Sequence, residues 1–171
     1  NLALATVNRP EIQIVDGATV AIGLDAQAAN VIIRGLAIYG FGNTANSNTS
    51  ANIRLGAAAS GALIEINVLG ANATSFTDPG AAVRSGGDNV RVLGPDNGIL
   101  RNNLIGYSAG KGLELNSGAN NWRVEGNEMR RNGIGNANLD AMAIENGSGG
   151  ATVQGNLLTQ SEACGLEMYQ S

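Results

Sequence analysis

One lysine, nine arginines and fourteen acidic residues carry the ionic chemistry of this 171-residue chain, which has no histidine and a single cysteine, Cys164. One candidate group is Lys111, Arg130 and Arg131, with Glu128 and Asp140 close by, which brings cations and carboxylates toward one corner of successive repeats. A second candidate is the pair Arg54 and Arg91, two guanidinium forks of the kind that clamp a carboxylate or sulfate bidentately. A third is a set of rings and charges in loop-like segments: Tyr39, Phe41, Phe76 and Tyr107, with Asp78 and Arg84. Aromatic faces of that sort are surfaces against which sugar rings stack. Several chemistries are excluded outright. Without histidine there is no Ser-His-Asp or Cys-His nucleophile and no histidine-ligated zinc or haem. One cysteine excludes a disulfide framework and any multi-cysteine metal site.

The elements that position these residues follow from composition and repeats. Glycine (25) and asparagine (22) are both in excess, and both tolerate tight turns and left-handed backbone. The hydrophobic share of 43% is ample for a core, and only 14% of residues are charged. A net charge of −4 and a pI near 4.7 leave no basic stripe for nucleic acid. No apolar run reaches membrane-helix length, so no membrane insertion is expected.

Internal repetition is strong. An apolar-x-apolar strand begins at Leu24, Ile53, Val90, Leu113, Met142 and Leu166, and a turn position recurs at Leu36, Asn67, Asn103, Asn127 and Asn156. From first landmark to second the spacing is nearly constant, whereas from second to next first it varies widely. Length variation confined to one place marks loops on one face of a solenoid. Three residues before the turn stand Ile33, Ile64, Leu100, Val124 and Val153; two after it stand Ile38, Leu69, Ile105, Met129 and Leu158. Alternation with period two around a turn describes short strands with one inward face. The turn asparagines, continued one position earlier by Asn102, are expected to adopt left-handed conformations and to bond from coil to coil.

The phrases G-[LI]-x-[LI] and V-x-G-N-x-[LIM], seen in "GLELNSGANNWRVEGNEM" and "ATVQGNLL", resemble the right-handed parallel β-helix repeat of pectate-lyase-like proteins. They are closest in style to repeats of large secreted and surface bacterial proteins. The resemblance covers about residues 10 to 171 and implies an all-β, right-handed, single-stranded parallel β-helix (a β-solenoid) of about six coils. Residues 1–171 are expected to form a single β-helix domain, a segment of a longer protein, with exposed ends open to end-to-end stacking. The resemblance also implies an extracellular or cell-surface location.

Three roles remain open at this point. The leading one is a non-catalytic scaffold whose variable corner, near residues 39–51, 70–88, 106–111 and 130–140, binds a polysaccharide or cell-surface glycan through Tyr39, Phe41, Phe76, Asp78, Arg84 and Tyr107, with Arg54 and Arg91 on the neighbouring face. The second is a fragment of a polysaccharide lyase or glycoside hydrolase. Lyases on this fold pair a lysine or arginine base with a group that neutralises a uronate, which would fall to Lys111, Arg130 and Arg131 with Glu128 and Asp140. The calcium aspartates of pectate lyases and the clustered aspartates of the hydrolases have no counterpart. No cofactor and no metal ligand is implied, with calcium left open. The third is a fibre or tailspike-like homo-oligomer assembling through an outward aliphatic stripe at Ala37, Val68, Leu104 and Leu157. Two further outward columns are expected: Arg34, Glu65, Arg101, Glu125, Gln154, a salt ladder or an acid/base strip; and Asp25, Arg54, Arg91, Glu114, Ala143, Glu167, with an unpaired arginine step. Trp122 is expected in the core, and Cys164 buried or half-buried.

Overall fold

The computed structural model describes residues 7–17 and 19–169. Short runs of alternating apolar residues between glycine and asparagine turns can bury only one face each, and the chain meets that demand by winding. It forms β1 (Ile12–Val15), β2 (Ile22–Ala26), β3 (Ile32–Arg34), β4 (Leu36–Tyr39), β5 (Ala51–Leu55), β6 (Leu63–Glu65), β7 (Val68–Leu69), β8 (Asp88–Leu93) and β9 (Ile99–Arg101). It continues through β10 (Leu104–Gly106), β11 (Leu113–Asn116), β12 (Arg123–Glu125), β13 (Glu128–Arg130), β14 (Met142–Glu145), β15 (Thr152–Gln154), β16 (Leu157–Thr159) and β17 (Leu166–Tyr169). The first sheet stacks β1-β4-β7-β10-β13-β16, the second β2-β5-β8-β11-β14-β17 and the third β3-β6-β9-β12-β15. Every pairing is parallel. The fold is thus a right-handed parallel β-helix of five complete three-strand coils, with β1 before them and β17 after.

The register matches the repeat read from the sequence. Leu24, Ile53, Val90, Leu113, Met142 and Leu166 are successive partners, and so are Ile38, Leu69, Ile105, Met129 and Leu158. Coils measured along the first of these columns span 29, 37, 23, 29 and 24 residues. The inward columns merge into one core with Trp122 fully buried in it, its indole N–H donating to the Pro95 carbonyl at 2.7 Å. Each fully buried aliphatic side chain contributes about 1.5–3 kcal/mol. At the far end Leu166 and Met168, inward by register, are exposed.

The corner between third and first sheets is held by asparagine. Asn67 Nδ2 donates to Asn103 Oδ1, Asn103 Nδ2 to Asn127 Oδ1, and Asn127 Nδ2 to Asn156 Oδ1, each at 3.0 Å. The same side chains accept backbone N–H groups from the preceding coil, with Leu36 N–H meeting Asn67 Oδ1 at 3.0 Å. One expectation is corrected here. The left-handed residues are not the ladder asparagines but those one position earlier: Gly35, Ile66, Asn102, Gly126 and Gly155. Asn102 therefore shapes the turn and is not a rung of the ladder. The reason is that the ladder side chain must point inward to reach the next coil, so the sharp change of direction falls on its predecessor. Ile66, at φ 56°, adopts a conformation that costs a β-branched residue dearly.

Candidate functional site

All variable loops leave the first sheet and enter the second, at residues 40–50, 70–87, 107–112, 131–141 and 160–165. This is the corner the unequal spacings anticipate. Its inner wall is a second amide ladder, hidden in the sequence because the variable loops break its spacing. Asn52 Nδ2 donates to Asn89 Oδ1 at 2.6 Å, Asn89 Nδ2 to Asn132 Oδ1 at 2.9 Å, and the Ser85 and Ser108 hydroxyls cap it. All five side chains are buried. They fasten loops of different lengths onto one regular frame.

On the first-sheet side, the 70–87 loop folds back over the outer face. Ala71, Ala73 and Phe76 pack with Ala37, Val68, Tyr107 and Leu104 in a small second core. Phe76 meets Tyr107 edge-on at 5.3 Å, the Tyr107 hydroxyl donates to the Phe76 carbonyl at 3.1 Å, and the Arg130 guanidinium lies 5.6 Å above the Phe76 ring. The aliphatic stripe read as an assembly surface is accordingly covered over Ala37 and Val68 by this chain's own loop. The rings expected as sugar platforms are inside as well: Tyr39, Phe41 and Tyr107 are buried, and Phe41 belongs to the main core. Phe76 alone of the four is half-buried.

On the second-sheet side, the expected unpaired arginine step is resolved by pairing. Arg54 bonds Asp25, at 2.6 and 3.0 Å. Arg91 is buried, meets Asp88 Oδ2 at 2.6 Å, forms an ion pair with Glu114 and donates to Asn48 Oδ1 at 2.9 Å. Lys111 is also buried, its ammonium ion-paired with Glu145 and 3.7 Å from Glu114. Burial alone would lower its pKa, yet Glu145, Glu114 and Asp88 together hold it above the ordinary lysine value. Burial pushes the Asp88 carboxyl up to about 7, against the pull of Arg91 and with the charge of Glu114 adding to the rise. Asp140 is 1% exposed, and its Oδ1 accepts the Cys164 N–H at 2.9 Å. Cys164 itself is exposed, contrary to the sequence reading.

Four of the remaining candidates are paired too. Arg130 and Glu128 form an ion pair within β13, and Arg84 bonds Asp78 at 2.7 Å. Burial opposes the Asp78 charge, but Arg84 and the Gly80 N–H hold its pKa below the usual range. Arg131 is exposed at the start of its loop with φ 51°. Lys111, Arg130, Arg131, Glu128 and Asp140 thus share the corner but split between two faces: Lys111 and Asp140 lie with the second-sheet charges, Arg130 and Glu128 over the first sheet. The third-sheet column forms the anticipated ladder in its first half, where Glu65 bonds Arg101 at 2.7 Å and also pairs with Arg34. Further along, Glu125 bonds Arg123 and Gln154 instead. Arg101 foremost, then Arg34, hold the Glu65 carboxyl below its ordinary pKa against burial.

What the corner leaves open is a cleft of about 390 Å³ between the 40–50 and 131–141 loops, lined by Ala45, Asn46, Gly135, Asn136, Ala137, Asn138 and Leu139. Its walls are amides, backbone and small apolar groups, with no charged side chain. Among the described residues no group of three or more acidic or cysteine side chains could hold a metal ion. Comparison of the chain with protein-family models, curated proteins and solved structures gives no match.

Proposed function

We propose that this chain is a non-catalytic scaffold module of an extracellular or cell-surface protein, kin to the pectate-lyase-like β-helices, that binds a glycan in the cleft between its 40–50 and 131–141 loops. The observation that carries this reading is the lining of that cleft. Asn46, Asn136 and Asn138 offer carboxamide donors and acceptors to hydroxyl groups, with nothing ionised among them. Three cations that could grip an acidic sugar are committed elsewhere, Arg54 to Asp25, Arg91 to Asp88 and Glu114, and Lys111 to Glu145. A neutral polysaccharide is the ligand class that suits such walls.

Light scattering of neutral and acidic polysaccharides mixed with the chain tests this. The expected result is complex formation with a neutral polymer, weakened by Asn138→Ala, with polymer mass steady over hours. Falling polymer mass would establish a depolymerase instead. Binding confined to acidic polymers, or no binding at all, would refute the cleft.

A further inference from the structure

The outer face of the second sheet ends in two carboxyls that the cleft does not use. Asp140, in the loop before β14, is buried, and its Oδ2 receives no hydrogen bond. The Glu167 carboxyl of β17 lies within hydrogen-bond reach of it. Glu145 from β14 and Lys111 from the segment before β11 act on Glu167 through their charges, but the Lys111 ammonium is committed to Glu145 and Glu114. Two carboxylates in contact repel, and a buried acceptor without a donor is destabilising. A bound cation lacks the ligands, since no third acidic group converges with the pair among the described residues.

We propose that a proton on the Glu167 carboxyl, shared in a hydrogen bond with Asp140 Oδ2, acts as a pH-sensitive latch that docks β17 onto β14. The shared proton supplies the donor that Asp140 Oδ2 lacks. It ties a side chain of β17 to the segment entering β14, whose backbone already bonds the residues that lead into β17, through Ala141 N–H to the Cys164 carbonyl at 3.0 Å and Met142 N–H to the Gly165 carbonyl at 3.1 Å. The charge of Asp140 first, then burial, raises the Glu167 pKa above its ordinary value. A raised folded-state pKa means that the latch is fully engaged below the ordinary glutamate pKa and is lost as pH rises through the raised one. Once released, β17 uncovers the edge of β14 and the inward side chains Met142 and Ile144.

Amide hydrogen exchange of the chain between about pH 4 and pH 8, expressed as protection over the intrinsic rate, reads the latch directly. Protection of Ala141 and Met142 should fall severalfold as pH rises through the raised Glu167 value, while that of Val90 in the middle of the second sheet holds. Glu167→Gln and Asp140→Asn each supply a carboxamide donor in place of the shared proton, so both should stay protected across the range. Three results would each overturn the latch: no fall in the wild type, the same fall in both variants, or protection lost in both variants at pH 4. Restoration of wild-type protection at pH 8 by calcium would also overturn it, because the pair would then be a cation site.

Discussion

At the scale of single residues, the corners do more to specify this fold than their polarity suggests. Each ladder asparagine satisfies at least two backbone groups and at least one neighbouring amide, so truncating one leaves buried partners unmet. The left-handed position beside it has a different requirement, for a residue without a β-branch. Gly35, Asn102, Gly126 and Gly155 meet that requirement and Ile66 does not. Replacing Ile66 by asparagine, the residue its neighbouring coil uses, should relieve strain of about 1–2 kcal/mol. It should raise the midpoint of thermal unfolding with no change in the circular dichroism spectrum.

At the scale of elements, the strands were legible and the loops were not. Period-two alternation together with the turn asparagine placed all five positions of each inward column, because a one-residue slip would send every apolar side chain outward. That signal is local. The direction in which a long loop folds depends on which outer face is apolar, and this is why the covering of Ala37 and Val68 by residues 70–87 could not be read from spacing. The burial of Tyr39, Phe41 and Tyr107 has the same origin, as has the pairing of Arg91, which relies on Asn48 from one coil and Glu114 from another. The cleft residues Asn46, Asn136 and Asn138 carried no distinguishing signal in a chain so rich in asparagine. Phe76 is the pin of the covering loop. Its replacement by alanine should cost about 2 kcal/mol or less, given that the ring is only half-buried. The variant should also free the loop and bare Val68 and Leu104, so that the mass found by sedimentation rises with concentration while the wild type stays unchanged.

At the scale of the whole molecule, the second sheet concentrates buried charge, and stability should follow its protonation. Asp88, raised to about 7 from an ordinary 3.8, binds a proton more tightly in the folded state than in the unfolded chain. Stability should therefore decline as pH rises between those two values, by at most about 1.4 kcal/mol per pH unit. Asp88→Asn should flatten this slope in urea titrations across that window, and Arg91 would keep Glu114 as its partner. An unchanged slope would show that Asp88 remains ionised throughout.

The strands of this solenoid pair only with those of neighbouring coils, with β1 at one end of the stack and β17 at the other. Tension applied along the axis therefore loads chiefly neighbour-to-neighbour bonds, with the Ala73 N–H to Gln13 Oε1 bond as a tie across one coil, and peels one coil at a time. At roughly 3.5 Å of contour per residue, coils of 23 to 37 residues release unequal lengths, about 80 to 130 Å each. The loops that vary at a single corner thus also set the gauge of an extensible tether, one whose successive give is written in the spacing of its insertions.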